Sequence, residues 1–151
     1  RNIICVGRPG LGKTRILDAL ARAACLKGYT VRKVLAAEML EELHASRVDD
    51  SFRRAFRRFE KPDVLYCDEF GYAPIDSEAT RYLFRLVSAR HRQRSILLAA
   101  NTGFAGWKHF FPSEAQSVAT VDRLLDNASV LRFSGKSWRR PKEVLGEVTD
   151  E

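Results

Sequence analysis

Apolar residues fall into short unbroken runs separated by stretches with helical spacing, and the two patterns alternate from one end of the chain to the other. Asn2-Ile3-Ile4-Cys5-Val6 is a run of buried-strand type. From Thr14 to Lys27 the apolar positions Ile16, Leu17, Leu20, Ala21, Ala24 and Leu26 recur close to every 3.6 residues, and Gly28 follows as a helix terminator. Val31 to Leu35 reads as a second strand and Ala37 to Ala45 as a short helix with Leu40 and Leu43 on one side. Asp50 or Ser51 is placed to cap a further helix, which sets Phe52, Phe56 and Phe59 at i, i+4 and i+7 before Pro62-Asp63 breaks it. Val64 to Cys67 is a third strand ending at Asp68-Glu69. Ser77 and Glu78 open a long helix to about Arg92, with Leu83, Leu86 and Val87 inward. Ser95 to Ala100 is a fourth strand ending at Asn101-Thr102-Gly103. Ser113 opens a helix carrying Val118, Val121, Leu124 and Leu125, and Ser129 to Phe133 is the last strand. The aromatic-rich stretch from Phe104 to Pro112 reads as a packed loop, a subunit contact being the other reading.

Strands alternating with helices predict an α/β fold: a parallel five-stranded sheet with helices on both faces, in one domain of 151 residues. Ligands of such sheets bind at the carboxyl ends of the strands. Three polar features fall there: the loop after the first strand, Asp68-Glu69 after the third and Asn101 after the fourth.

The first loop reads Gly7-Arg8-Pro9-Gly10-Leu11-Gly12-Lys13-Thr14, which fits the phosphate-binding pattern G-x-x-x-x-G-K-[ST] between a strand and a helix. Glycines allow backbone N–H groups to close around phosphate oxygens, and the helix behind points its positive end at the anion. Lys13 can reach the β- and γ-phosphates and Thr14 can hold Mg²⁺. Gly7, Pro9, Gly10, Leu11, Gly12, Lys13, Thr14 and Arg15 are the candidate nucleotide-binding residues. Adjacent carboxylates at a strand tip point different ways, which suits Asp68 to the metal, beside Thr14, and Glu69 to an attacking water. Two solvated acids ending a strand are the plainer reading. Asn101 can hydrogen-bond water or the γ-phosphate, or can simply begin the turn before Gly103.

Net charge is +7, more than a nucleotide needs, and favours a polyanionic partner over a merely basic surface. Three cysteines, Cys5, Cys25 and Cys67, are too few and too scattered for a metal pair. Buried thiols fit a reducing, cytoplasmic setting. No apolar run approaches a membrane span and no signal peptide is visible. A chain opening at Arg1, directly before a core strand, reads as a fragment.

The series of phosphate loop, Asp68-Glu69-Phe70-Gly71-Tyr72, Asn101, Asp122-Arg123-Leu124-Leu125 and Gly135-Lys136-Ser137-Trp138-Arg139 resembles the IstB/DnaC-type AAA+ ATPases. The similarity is greatest to the IstB helper ATPases of bacterial insertion sequences, over nearly the whole chain. The resemblance implies a three-layer P-loop NTPase core, with ATP and Mg²⁺ as ligands and ATP hydrolysis as the activity. Asn101 would be the sensor-1 residue, Arg123 an arginine finger acting in trans within a self-oligomer, and Arg139 the sensor-2 arginine. The plainer readings are a surface Arg123 paired with Asp122 or Asp126, and an Arg139 in a basic tail. Residues 37–60 would correspond to an initiator-type helical insertion presenting Arg47, Arg53, Arg54, Arg57 and Arg58 to DNA, against the plainer reading of a solvated face. Arg90, His91, Arg92 and Arg94 form a second basic cluster, placed to complement a helix dipole.

Against the family pattern the amino-terminal domain is missing and the carboxyl-terminal lid is short or absent. The implied role is transposase activation and target selection on duplex DNA, with a DnaC-like replicative helicase loader acting on single strands as the alternative. Two other classes are a nucleotide-independent DNA-binding module and a small-molecule kinase. Intact Lys13, Thr14, Asp68 and Glu69 count against the first. Asp-Glu, which suits water as acceptor, counts against the second.

Overall fold

The computed structural model describes residues 1–137. Its elements are β1 (Asn2–Val6), α1 (Lys13–Leu26), β2 (Val31–Leu35), α2 (Ala36–Ala45), α3 (Phe52–Glu60), β3 (Val64–Phe70), α4 (Ser77–Arg90), β4 (Ser95–Ala100), α5 (Phe104–Trp107), α6 (Glu114–Leu125) and β5 (Ala128–Arg132). The strands form one sheet in the order β2-β3-β4-β1-β5, and every pairing is parallel. The order reverses at β1, so the loop after β1 opens into a crevice at the carboxyl edge.

The sheet is covered unequally. On one face Ile4, Val6, Leu65, Cys67, Ile96, Leu98 and Ala100 join side chains from α2, α3, α4 and α6 in the main core. On the other, Cys5, Tyr66, Leu97 and Ala99 meet Leu17 of α1 in a small second core. Central strands buried on both faces explain why the sequence shows continuous apolar runs instead of alternation. Gly28, at φ 89°, ends α1 as expected, its N–H donating to the Cys25 carbonyl at 2.9 Å.

Local chemistry moves several boundaries. Neither Asp50 nor Ser51 caps α3 with its side chain. The Ser51 hydroxyl donates instead to the Asp49 carboxylate at 2.5 Å. The α4 cap is Asp76, one residue before the predicted start, accepting from Ala79 N at 2.7 Å. Ser113 caps α6 as expected. The strand predicted to end at Cys67 runs on to Phe70 through a register irregularity. Phe104–Pro112 is a packed loop and includes the short α5. Trp107, Phe110 and Phe111 are buried, and the Phe70 ring lies 4.8 Å from Trp107 and 4.9 Å from Phe110 between centroids.

Arg90 departs most from its predicted role. It is fully buried, and its guanidinium donates to the carbonyls of Phe59, Glu60 and Pro62 at 2.7–2.8 Å, of Ser95 at 2.8 Å and of Asp63 at 3.3 Å. These are the last carbonyls of α3, the turn into β3 and the start of β4. Burial pushes the guanidinium down to about 10, which still leaves it charged at neutral pH. His91 and Arg92 leave the helix end as well, both meeting Asp126 at 2.6 and 2.9 Å. Arg90→Leu would take the guanidinium from these carbonyls, of which Asp63 keeps the Ser95 N–H at 3.1 Å. It is expected to destabilise the chain by about 3 kcal/mol or more, read as a fall in the urea midpoint. Loss below about 1 kcal/mol would show that water replaces the guanidinium.

Candidate nucleotide-binding site

The loop after β1 is built for close backbone approach. Gly7, Gly10 and Gly12 take φ of 151°, 82° and 91°. At Gly7 a Cβ would lie 2.5 Å from the Phe133 carbonyl oxygen, so the neighbouring chain after β5 closes against the loop. The Gly7 N–H donates to the Ala100 carbonyl at 3.2 Å, which ties the loop to the end of β4. Helix α1 starts directly behind, with no side-chain cap and no acidic residue in its first turn. Its first N–H groups therefore face the loop as an anion-binding end.

Lys13 is almost fully buried and its Nζ donates to the Gly7 and Arg8 carbonyls at 2.6 and 2.7 Å. The ammonium thus lies folded back over the loop. Thr14 Oγ1 donates to Asp68 Oδ2 at 3.3 Å, and Asp68 Oδ1 accepts the Glu69 N–H at 2.8 Å. Asp68 is buried. A hydroxyl beside a carboxylate is a hard-oxygen pair of the kind that suits Mg²⁺. Among the described residues no cluster of three or more His, Cys, Asp or Glu side chains could hold a metal by itself. Thr14 and Asp68 fit an ion that takes its remaining ligands from phosphate and water.

Asn101 lies at the end of β4, facing the same cavity as the loop. It lines a cavity of about 540 Å³ with Gly7, Arg8 and Leu11 on one side and Phe133 to Gly135 on the other. Pro9 and Arg15 are exposed and are not among its lining residues. Glu69 is not brought to this cavity. It sits at φ 54°, an uncommon conformation for a residue with a side chain, and lines a separate cavity of about 400 Å³ with Leu40, His44, Ile75 and Phe110. The strand irregularity and this backbone twist turn the two carboxylates apart, Asp68 toward α1 and Glu69 toward α2.

Arg123 lies on the exposed side of α6, its guanidinium 5.9 Å from the Phe84 ring centroid. Its plainer reading as a partner of Asp122 or Asp126 finds no ion pair with either among the described residues, and His91 and Arg92 hold the Asp126 carboxylate and lower its pKa, Arg92 most strongly. Arg139 and the expected short lid lie outside the described residues.

The expected DNA-contacting arginines divide into two groups. Arg53, Arg54, Arg57 and Arg58 are exposed around an open concavity of about 810 Å³ shared with Lys61. Arg58 is paired with Glu42, and Arg47 lies against the Phe52 ring. Arg53, Arg54 and Arg57 take part in none of the ion pairs among the described residues. Sequence reasoning missed Arg85, which stacks on Phe52 and Phe56 at 5.4 and 5.1 Å. Its i+3 and i+4 spacing from Tyr82 and Arg81 gave no hint of an aromatic partner on another helix.

A phosphate loop, an acidic strand tip and an asparagine at the carboxyl edge of a β2-β3-β4-β1-β5 parallel sheet define a P-loop NTPase core of the AAA+ class. Solved structures show the same fold: DnaI (TM-score 0.77, 17% identity, 92% of this chain and 73% of that one) and the replication initiator DnaA bound to AMPPCP and single-stranded DNA (TM-score 0.75, 15% identity, 90% and 41%). Residues 1–145 match the family of IstB-like ATP binding proteins, and the chain belongs to that family. Among curated relatives, a protein of Sinorhizobium fredii named for ATP binding in an insertion sequence is 33% identical, over 92% of this chain and 47% of its own length. The corresponding protein of insertion sequence IS21 in Pseudomonas aeruginosa is 32% identical over 98% and 56%. The chain thus spans about half the length of these relatives. No helix among the described residues is long and apolar enough to cross a membrane.

Gly7→Ala would drive a methyl group into the Phe133 carbonyl. Nucleotide binding is expected to be lost, with a stability cost of about 1–3 kcal/mol, read by fluorescent-nucleotide titration beside a thermal melt. Unchanged affinity would show that the loop has room that this geometry denies.

Proposed function

We propose that this chain is the ATP-binding and ATP-hydrolysing core of an insertion-sequence helper protein of the bacterial cytoplasm. It would assemble with copies of itself on DNA, and the assembly would assist a transposase. One observation carries the nucleotide part: Lys13, Thr14 and Asp68 converge on a glycine loop that a single methyl group would obstruct. The relatives' names support ATP binding and the insertion-sequence setting. They also favour transposition over helicase loading, for which the likeness to DnaI and DnaC is one of fold.

In this reading phosphate oxygens take the Lys13 ammonium from the Gly7 and Arg8 carbonyls, while α1 holds the phosphates by its N–H groups. Thr14 and Asp68 hold Mg²⁺, which when bound offsets charge on the transferring phosphoryl group. Glu69 turns from its own cavity to orient water. The water oxygen bonds to the γ-phosphorus, its proton passing to the Glu69 carboxylate, as the bond to the β–γ bridging oxygen breaks, giving ADP and phosphate. Asn101 steadies the γ-phosphate. Arg123 of a neighbouring copy offsets transition-state charge and makes turnover depend on assembly, and Arg139 serves as sensor 2. Lys13→Ala is expected to remove ATP binding. Glu69→Gln should keep binding within about threefold and lower turnover by roughly 10²-fold or more, the scale of a lost general base. Normal turnover in Glu69→Gln would assign the water to another residue.

Arg53, Arg54 and Arg57, with Arg47 and Arg58 at the flanks, form the DNA-facing side of residues 37–60, which read as an initiator-type insertion. Spaced guanidinium groups neutralise successive phosphates without reading sequence. Replacing Arg53, Arg54 and Arg57 together by Ala is expected to weaken duplex DNA binding. The slope of log K against log salt should shrink by about 2.7, roughly 0.9 for each phosphate that is no longer neutralised. An unchanged slope would move the DNA-binding surface elsewhere on the chain.

A further inference from the structure

Thr14 is touched twice by the same strand. Asp68 holds its hydroxyl, and two residues earlier on β3 the Tyr66 hydroxyl points at its backbone carbonyl, 3.4 Å away. The tyrosine is fully buried in the small core beneath α1. A phenol carries one donor proton, and a buried hydroxyl without a partner costs stability, so its direction matters. Here it lies under the turn that presents Thr14, with the Asp18 carboxylate as a second neighbour able to accept from it.

The chain of interactions continues outward. Lys33 of β2 lies 4.8 Å from the Tyr66 ring centroid and pairs with Asp18 of α1 at 2.7 Å. Asp18 sits one helical turn after Thr14, on the same side of α1. Three elements, β2, α1 and β3, therefore meet around one hydroxyl under the first turn of α1. At 3.4 Å the bond to Thr14 is a long one.

We propose that Tyr66 is a positioning residue for the divalent-cation half of the nucleotide site: its hydroxyl fixes the first turn of α1 so that Thr14 Oγ1 stays within reach of Asp68. The proposal rests on the nucleotide-site reading above and adds a residue that neither the phosphate-loop pattern nor the acidic pair includes. Lys33 and Asp18 hold the phenol from outside. Tyr66 touches neither phosphate nor metal, and its hydroxyl reaches the carbonyl of Thr14, whose hydroxyl faces Asp68, and none of the loop residues Gly7 to Gly12.

The test compares Tyr66→Phe with the parent chain by fluorescent-ATP titration in EDTA and across a Mg²⁺ series, beside a thermal melt. Affinity in EDTA is expected to hold within about twofold. The Mg²⁺ concentration giving half of the cation-dependent gain should rise roughly tenfold, the low end for loss of an outer partner of a metal ligand. A Mg²⁺ response within twofold of the parent, with EDTA affinity intact, would overturn the proposal and leave Tyr66 as packing. Equal loss of affinity with and without Mg²⁺ would also overturn it, because the whole loop would then depend on the phenol. A parent chain that binds no nucleotide in either condition would sink the site reading itself. Should Tyr66→Phe fail to fold, Lys33→Met at the exposed end of the same chain of interactions serves instead. It is expected to shift the Mg²⁺ response the same way by about two- to threefold, and no shift would count against the proposal.

Discussion

Thr14 and Asp68 are 54 positions apart in sequence, yet the hydroxyl of one donates to the carboxylate of the other at 3.3 Å. That hydrogen bond joins the first turn of α1 to the tip of β3, and through it the phosphate loop to the acidic strand end. It exists because β1 and β3 are parallel members of one sheet with β4 between them, which brings both carboxyl ends to one edge. If β3 slipped by one residue relative to β4, Asp68 would turn to the other face of the sheet and Thr14 would face Cys67 or Glu69 in its place. The register of the central strands, set by Tyr66 against Leu97 and Cys67 against Leu98, is thus the constraint under the chemistry.

The opposite edge of the sheet holds that register. Arg90 gathers carbonyls from the end of α3, the turn into β3 and the start of β4, fixing where both strands begin. A buried cation among backbone carbonyls is tolerated because each bond is charge-assisted and the donors of the guanidinium lie in one fixed fork. The arrangement gives the molecule a rigid amino edge and leaves the carboxyl edge to loops. There the glycines allow close approach, and Glu69 lines the α2-side cavity instead of the one beside the glycine loop.

Fold class and strand count were legible in the sequence because buried parallel strands are continuous apolar runs and helices carry a different period. The phosphate loop was legible because each of its residues has a local reason to be there. What stayed hidden depends on partners distant in sequence. Arg90 reads as a surface charge near a helix end, since charged side chains are usually solvated and carbonyls 27 to 31 residues upstream give no sequence signal. The orientation of Glu69 follows from a strand irregularity and a left-handed backbone that no residue nearby announces. Asp76 rather than Ser77 caps α4, a one-residue difference between two good caps that the chain path from Ile75 decides, its N–H being held by the Phe110 carbonyl at 2.9 Å.

The central claim is that the glycine loop seats a triphosphate, with Thr14 and Asp68 at its metal end. A crystal structure of the chain with a non-hydrolysable ATP analogue and Mg²⁺ tests this most directly. Lys13 Nζ should then leave the Gly7 and Arg8 carbonyls for phosphate oxygens, with the cation between Thr14 Oγ1 and Asp68. Nucleotide bound elsewhere, with Lys13 still folded onto those two carbonyls, would contradict it.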